Sequence, residues 1–260
     1  MNKIVLIVIC ISIVMSARVG AAQDDQCSFP HPADKRISVK SIVSPPVWYL
    51  DEFKKFEKAK RTKEHQEDQT AVSLDGKVVV TPRYGELRWH KASEPGRIEL
   101  FKGVDPPLGV AAHTFPNPVA DMSLTRDGRR VLFLDEDGMS ESAPVFTGKL
   151  YWADLKSGEL GLIKTGMVVV FLGHGVTSWN QDGSRVAFAS AEQIFVYAIT
   201  ATRPVQVTGG EESNPRDTCA AYDLAWSKGG NQVIFKFSRD LYGKRTRYYV
   251  LDGINKILPK

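Results

Sequence analysis

The chain has 260 residues, of which 43% are hydrophobic and 25% charged, with 34 basic side chains against 30 acidic ones. Its length suits one or two domains, and a formal charge of +4 gives no electrostatic case for nucleic acid or an anionic membrane as partner. Three cysteines, Cys10, Cys27 and Cys219, do not form a metal-binding Cys-x-x-Cys pattern.

The first predicted element is a secretory signal over residues 1–22. Lys3 supplies a charged start, Ile4 to Met15 is apolar apart from Ser12, and Gly20-Ala21-Ala22 offers a small-residue cleavage site. The apolar run is short for a membrane span, although an uncleaved anchor is the competing reading. Cys10 follows Ile9 rather than a small residue, which argues against a lipid anchor there. Cleavage after Ala22 removes Lys3 and Arg18 and leaves 32 basic residues against 30 acidic. It also leaves two cysteines, so export to an oxidising compartment makes a Cys27–Cys219 disulfide the expected pair; two separate thiols are the alternative.

Residues 23–68 read as an N-terminal extension. Ile37 to Val43 alternates like a strand, and Ser44-Pro45-Pro46 ends it. From Tyr49 to Gln69 there is no Gly or Pro. Leu50, Phe53 and Phe56 have helical spacing and predict a docking face, whereas Lys58 to Gln69 is charged all round and predicts a solvated helix or loop.

Four stretches then repeat one pattern. Ser73-Leu74-Asp75-Gly76, Thr125-Arg126-Asp127-Gly128, Asn180-Gln181-Asp182-Gly183 and Ser227-Lys228-Gly229-Gly230 each run into an apolar strand. Their third residues are 52, 55 and 47 positions apart. A turn of this kind between alternating segments predicts a hairpin, and a unit of about fifty residues predicts a four-stranded propeller blade. Inner strands are expected at Val119 to Leu124 and Tyr222 to Trp226. Third strands are expected at Leu87 to His90, Lys149 to Leu155, Ile194 to Ile199 and Arg247 to Leu251. Fourth strands are expected at Ile98 to Lys102, Leu160 to Thr165, Val205 to Thr208 and a short Lys256 to Leu258. The fold expected is all-β, a propeller of four recognisable blades over 69–260, with the N-terminal strand and helix supplying closure or a partial fifth blade. Open strand edges are avoided in closed folds, so Ile37 to Val43 is expected to pair with the last blade or complete a neighbouring one.

The segment Asp223-Leu224-Ala225-Trp226-Ser227-Lys228-Gly229-Gly230, and more partially Trp179-Asn180-Gln181-Asp182-Gly183, resembles the repeats of TolB-type β-propellers. That family's repeat runs from an inner-strand Asp through an aromatic to Ser-Pro-Asp-Gly, a basic residue and an apolar strand. The resemblance covers about residues 69–258. The turn proline is absent from all four repeats, and Trp occupies the aromatic place only at Trp179 and Trp226. The resemblance implies architecture rather than activity, because the fold hosts many functions.

Motifs for a nucleophile elbow, a zinc protease helix and a phosphate-binding loop are all missing from the sequence. Two constellations remain. His65, His113 and His174 precede their turn positions by 10, 14 and 8 residues, and Asp217 and Cys219 lie in the corresponding segment of the last repeat. Convergence on one loop face would make them binding-face candidates, able in principle to hold a metal or move protons; unrelated loop residues are the simpler reading, and no metal site is assigned. Asp121 and Asp223 each stand six residues before the turn position, on inner strands. Paired carboxylates across a channel can act as acid and base, whereas bonding to nearby backbone is the structural use. Third-strand aromatics such as Trp89, Tyr151, Trp152, Tyr197, Tyr248 and Tyr249 suit packing between blades better than a sugar-binding row.

The expected function is therefore a non-enzymatic binding or scaffolding module in the periplasm, or secreted, with a protein partner on the loop face and no cofactor. A channel-centred glycoside or metal-assisted hydrolase is the alternative.

Overall fold

A computed structural model describes residues 30–60, 70–73, 75–83, 86–100, 119–139, 145–170, 175–209, 219–238 and 246–258. The signal expected over 1–22 lies outside them.

The elements run β1 (Ser38–Ile42), helix α1 (Val47–Lys60), β2 (Ala71–Val72), β3 (Val78–Arg83), β4 (Glu86–Lys91), β5 (Glu99–Leu100), β6 (Val119–Leu124), β7 (Arg130–Met139), β8 (Val145–Asp154), β9 (Leu160–Val170), β10 (Thr177–Trp179), β11 (Arg185–Ser190), β12 (Gln193–Ala198), β13 (Val205–Gln206), β14 (Ala220–Trp226), β15 (Gln232–Ser238) and β16 (Thr246–Asp252). Among the described residues they form four antiparallel sheets of four strands. The first is β2-β3-β4-β5, the second β6-β7-β8-β9 and the third β10-β11-β12-β13. The fourth has the order β14-β15-β16-β1, so its last strand comes from the N-terminal part of the chain, with Ser38 opposite Asp252 and Ile42 opposite Tyr248.

This corrects one expectation. Lys256 to Leu258 is not a strand, because Ile254–Lys256 is a 3-10 turn entered through Gly253 at φ 95°. Glycine is needed there twice over. The left-handed backbone disfavours a side chain, and a Cβ would stand 2.5 Å from the Arg36 carbonyl oxygen. The close approach lets the chain before β1 cross the end of β16, with the Arg36 guanidinium donating to the Lys256 carbonyl at 3.0 Å.

Each repeat turn is closed by a backbone bond from its glycine N–H to the carbonyl three residues back, and Gly76, Gly128, Gly183 and Gly230 all have φ between 64° and 72°. Where an Asp precedes the glycine, its carboxylate caps the turn. Asp127 Oδ1 accepts from Thr125 Oγ1 at 2.7 Å and from Arg129 N at 3.0 Å, Asp75 does the equivalent with Ser73 and Lys77, and Asp182 Oδ1 accepts from Ser184 N at 2.8 Å.

The sheets stack in chain order because their strands are apolar on both faces. In β7, Val131 and Phe133 join a core shared with the first sheet, while Leu132 and Leu134 join the core shared with the third and fourth. In β8 the same alternation sends Ala153 to the first interface and Leu150 and Trp152 to the second. The packing reading of these third-strand aromatics thus describes Trp152, which is buried with the residues of the neighbouring sheet. Strands β8 and β9 run longer than expected, and Met167 and Val169 in the added part of β9 are fully buried.

Helix α1 follows Pro45-Pro46, and the Pro46 carbonyl accepts the Tyr49 N–H at 3.0 Å. Its docking face differs from the expected one. Tyr49 is the buried anchor, Phe53 packs edge-on against it at 4.8 Å, and Leu50 is 40% exposed. The side chain of Phe56 and the segment 61–69 lie outside what is described. The helix packs beside β2, and its Tyr49 packs with Ala225 of β14 and Ile234 of β15, so it touches both the first and the fourth sheets. No helix of the described residues is long and apolar enough to cross a membrane.

Candidate functional site

The inner strands β2, β6, β10 and β14 lie side by side in chain order, and small regular contacts lock each to the one before it. The Trp179 indole N–H donates to the Ser123 carbonyl at 3.1 Å, and one sheet further on the Trp226 indole donates to the Ser178 carbonyl, also at 3.1 Å. Ser123 and Thr177 bond through their hydroxyls at 3.0 Å. The turns stack in the same sense. A Cβ on Gly128 would lie 2.5 Å from Val78 Cγ2 in the first sheet, and one on Gly183 would lie 2.7 Å from Thr125 Cγ2 in the second. Arg130 reaches forward to the Gly183 carbonyl at 2.9 Å, and Arg185, its counterpart one repeat later, bonds to Asn255.

These contacts wrap the inner strands around a cavity of about 760 Å³. Helix α1 forms one wall with Trp48, Glu52 and Phe53. The rim carries Arg126, Gln181 and Lys228, the residues that immediately precede the third position of three successive repeat turns. All three are exposed. Among the described residues, neither Arg126 nor Lys228 takes part in an ion pair.

Asp223 borders this cavity, but its side chain is 1% exposed and points into a polar cluster behind the strand. Its carboxylate holds the Lys236 ammonium at 2.7 Å. That ammonium also sits 5.7 Å from the Tyr222 ring centre and 5.8 Å from that of Tyr248. Burial disfavours the lysine charge, but the Asp223 carboxylate outweighs it and holds the ammonium above its ordinary pKa. The backbone of Asp223 is unusual for a residue with a side chain, at φ 52°, and β14 bulges against β15 between Tyr222 and Ala225. The bulge frees the Asp223 carbonyl from the ladder, and the Tyr49 hydroxyl donates to it at 2.7 Å. Burial, and then the nearby Asp223 charge, push the Tyr49 phenol pKa upward, so it stays a neutral donor.

Asp121 occupies the corresponding place on β6, which carries a matching register shift between Ala120 and Ser123. Its side chain is outside what is described. His65, His113, His174, Asp217 and Cys27 also lie outside the described residues. Cys219 is 1% exposed and disulfide-bonded. Sequence reasoning passed over Trp48, Tyr49, Lys236 and the rim residues. For the rim the signal was present, since Arg126, Gln181 and Lys228 share one repeat position. For Lys236 and Tyr49 it was not, because their contacts with Asp223 depend on how the elements assemble.

No family model matches the chain, and no curated protein sequence does. Among solved structures it is similar to TolB from Acinetobacter baumannii, with 14% identity over 72% of this chain and 43% of that one and a TM-score of 0.35. It is also similar to dipeptidyl peptidase 4 of Porphyromonas gingivalis, at 11% identity over 77% and 28% of the two chains with a TM-score of 0.45. The tricorn protease is similar at 13% identity over 70% of this chain and 15% of that one, with a TM-score of 0.44. The chain therefore spans less than half of each of these three structures. At such scores none of the likenesses bears on what the chain does.

Proposed function

We propose that the four sheets are the blades of a TolB-like propeller that acts as a non-enzymatic binding module, exported to the periplasm or secreted, with a protein partner on the loop face where the inner strands begin. The observation that carries the non-enzymatic part is the state of Asp223. Of the two inner-strand carboxylates it is the one whose side chain is described, and although the residue borders the cavity its side chain is 1% exposed and held in an ion pair with Lys236. A general acid or base must reach the proton it moves, and a buried carboxylate held in an ion pair does not.

The test uses the mature chain, immobilised and exposed to native extract, followed by rebinding of each captured protein in purified form. Saturable binding that weakens in a His113→Ala, His174→Ala variant of unchanged melting temperature supports a loop-face partner. A hydrolase activity that disappears in Asp121→Asn while folding is intact overturns the reading.

A further inference from the structure

We infer that the cavity lined by helix α1 and the inner strands is a binding site for a small amphiphilic carboxylate, with a flat apolar body inside and its carboxylate at the rim between Arg126 and Lys228. The site is separate from the loop-face partner proposed above, and the failure of either leaves the other standing.

The volume, about 760 Å³, falls within the range of small-molecule pockets, roughly 300–1,000 Å³. The walls favour an apolar, flat occupant. Trp48 and Phe53 come from the helix, Met122 from β6, and Trp179 and Trp226 from β10 and β14. The indole N–H groups of Trp179 and Trp226 are already bonded to the Ser123 and Ser178 carbonyls, so these rings offer apolar surface only. The hydroxyls of Ser123 and Thr177 likewise bond to each other.

Charge then selects the ligand's polar end. Among the described residues the acidic ones on the lining are Glu52 and Asp223, and Asp223 is paired with Lys236. Against the single remaining Glu52 stand two cations, Arg126 and Lys228, which the repeat places in equivalent turns on either side of Gln181. Neither pairs with an acid among the described residues, so both retain full capacity for a carboxylate. Arg126 and Lys228 give the lining two cationic donors, with Gln181 in the equivalent turn between theirs, and a neutral ligand would leave those charges unanswered.

The helix is part of the site rather than a neighbour of it. Trp48 and Phe53 flank Tyr49, which anchors the helix to the Asp223 carbonyl, so the binding wall exists only while the N-terminal segment is docked.

Isothermal titration of the mature protein with 1-naphthylacetate and with its neutral amide, 1-naphthylacetamide, tests the assignment. The expected result is saturable binding of the carboxylate at one site per chain, with the amide about tenfold weaker or more. The Arg126→Gln, Lys228→Gln double variant should lose that preference at an unchanged melting temperature, since both side chains are exposed on turns. Lys40→Gln, which removes an exposed cation on β1 away from the cavity, should retain it. Binding of acid and amide with equal affinity, absence of binding up to the solubility of the carboxylate, or a preference that survives in the double variant would each overturn the proposal.

Discussion

Tyr49 and Asp223 stand 174 positions apart in the chain, yet the Tyr49 hydroxyl donates a 2.7 Å hydrogen bond to the Asp223 carbonyl, joining the N-terminal helix to the innermost strand of the last sheet. The bond is possible because the bulge in β14 turns that carbonyl out of the strand ladder. Tyr49→Phe removes the donor while leaving the edge contacts with Phe53 and Tyr248 at 4.8 and 5.8 Å. The expected loss is about 1–2 kcal/mol in denaturant unfolding. An unchanged unfolding midpoint would mean that the helix contributes nothing through this bond.

The Asp223–Lys236 pair makes a second prediction. Asp223→Asn leaves a largely buried ammonium without its counterion and should cost about 3 kcal/mol. Asn tolerates the left-handed backbone at this position, so Asp223→Ala should cost more by adding backbone strain. The pH dependence has a definite sign. The folded pKa of Lys236 is raised, so its contribution is complete below the ordinary lysine value and is lost as pH rises through the folded value. Lys236→Met should therefore flatten the alkaline limb of the stability profile, followed by thermal melts across that range.

Turn glycines give a contrast between backbone and packing. Gly76 has φ 72°, and no atom lies within 4 Å of the place a Cβ would take, so Gly76→Ala should cost only the left-handed penalty, about 1 kcal/mol. Gly128 has φ 67° and faces Val78 and Ser73 of the preceding turn, so Gly128→Ala should cost about 2–4 kcal/mol. Equal costs in chemical denaturation would show that the turns do not stack as described.

Glu136 supplies a pH effect of the opposite kind. Burial, followed by the neighbouring Asp135 charge, raises its carboxyl from the ordinary 4.5 to about 7. Lys149 lies opposite Asp135 in the register, and Gly148 opposite Glu136. Between these two values the folded state binds the proton and the unfolded state does not, so stability falls as pH rises through that window. Glu136→Gln should be more stable than the parent above pH 7 and indistinguishable from it below 4.5. A parent and variant with parallel profiles would count against the burial of this carboxyl.

Cys219 is disulfide-bonded, and Cys27 is the expected partner in a chain cleaved after Ala22. Denatured but unreduced mature protein should then show no reactive thiol, and a Cys27–Cys219 peptide should appear on non-reducing digestion. Reduction should destabilise by at most about 5 kcal/mol, the chain-entropy value for a long loop. Labelling of Cys27 before reduction would refute the pairing.

The repeats were legible in the sequence because they are local. A turn such as Thr125 to Gly128 specifies its own geometry through a glycine at positive φ and a capping carboxylate, and the alternation of Val131, Leu132, Phe133 and Leu134 specifies two buried faces without reference to the rest of the chain. The hairpins, the sheet-forming segments and the shared rim position of Arg126, Gln181 and Lys228 follow from such signals.

The tertiary structure decided what depends on residues far apart in the chain. The sequence suggested that Ile37 to Val43 would pair with the last sheet or a neighbouring one while also offering Lys256–Leu258 as a fourth strand; that β1 takes the place beside β16 and Ile254–Lys256 turns away depends on the approach of Arg36 over Gly253. The helical spacing of Leu50 and Phe53 suggested a face, but the carbonyl freed by the β14 bulge needed a donor, and Tyr49 supplies it from a buried position. For Asp223 the sequence offered both an acid and a structural use, and its pairing with Lys236 on the neighbouring strand depends on how the strands assemble. Backbone periodicity encodes which side of a strand a residue faces; which partner meets it there is set by assembly of the whole set of sheets.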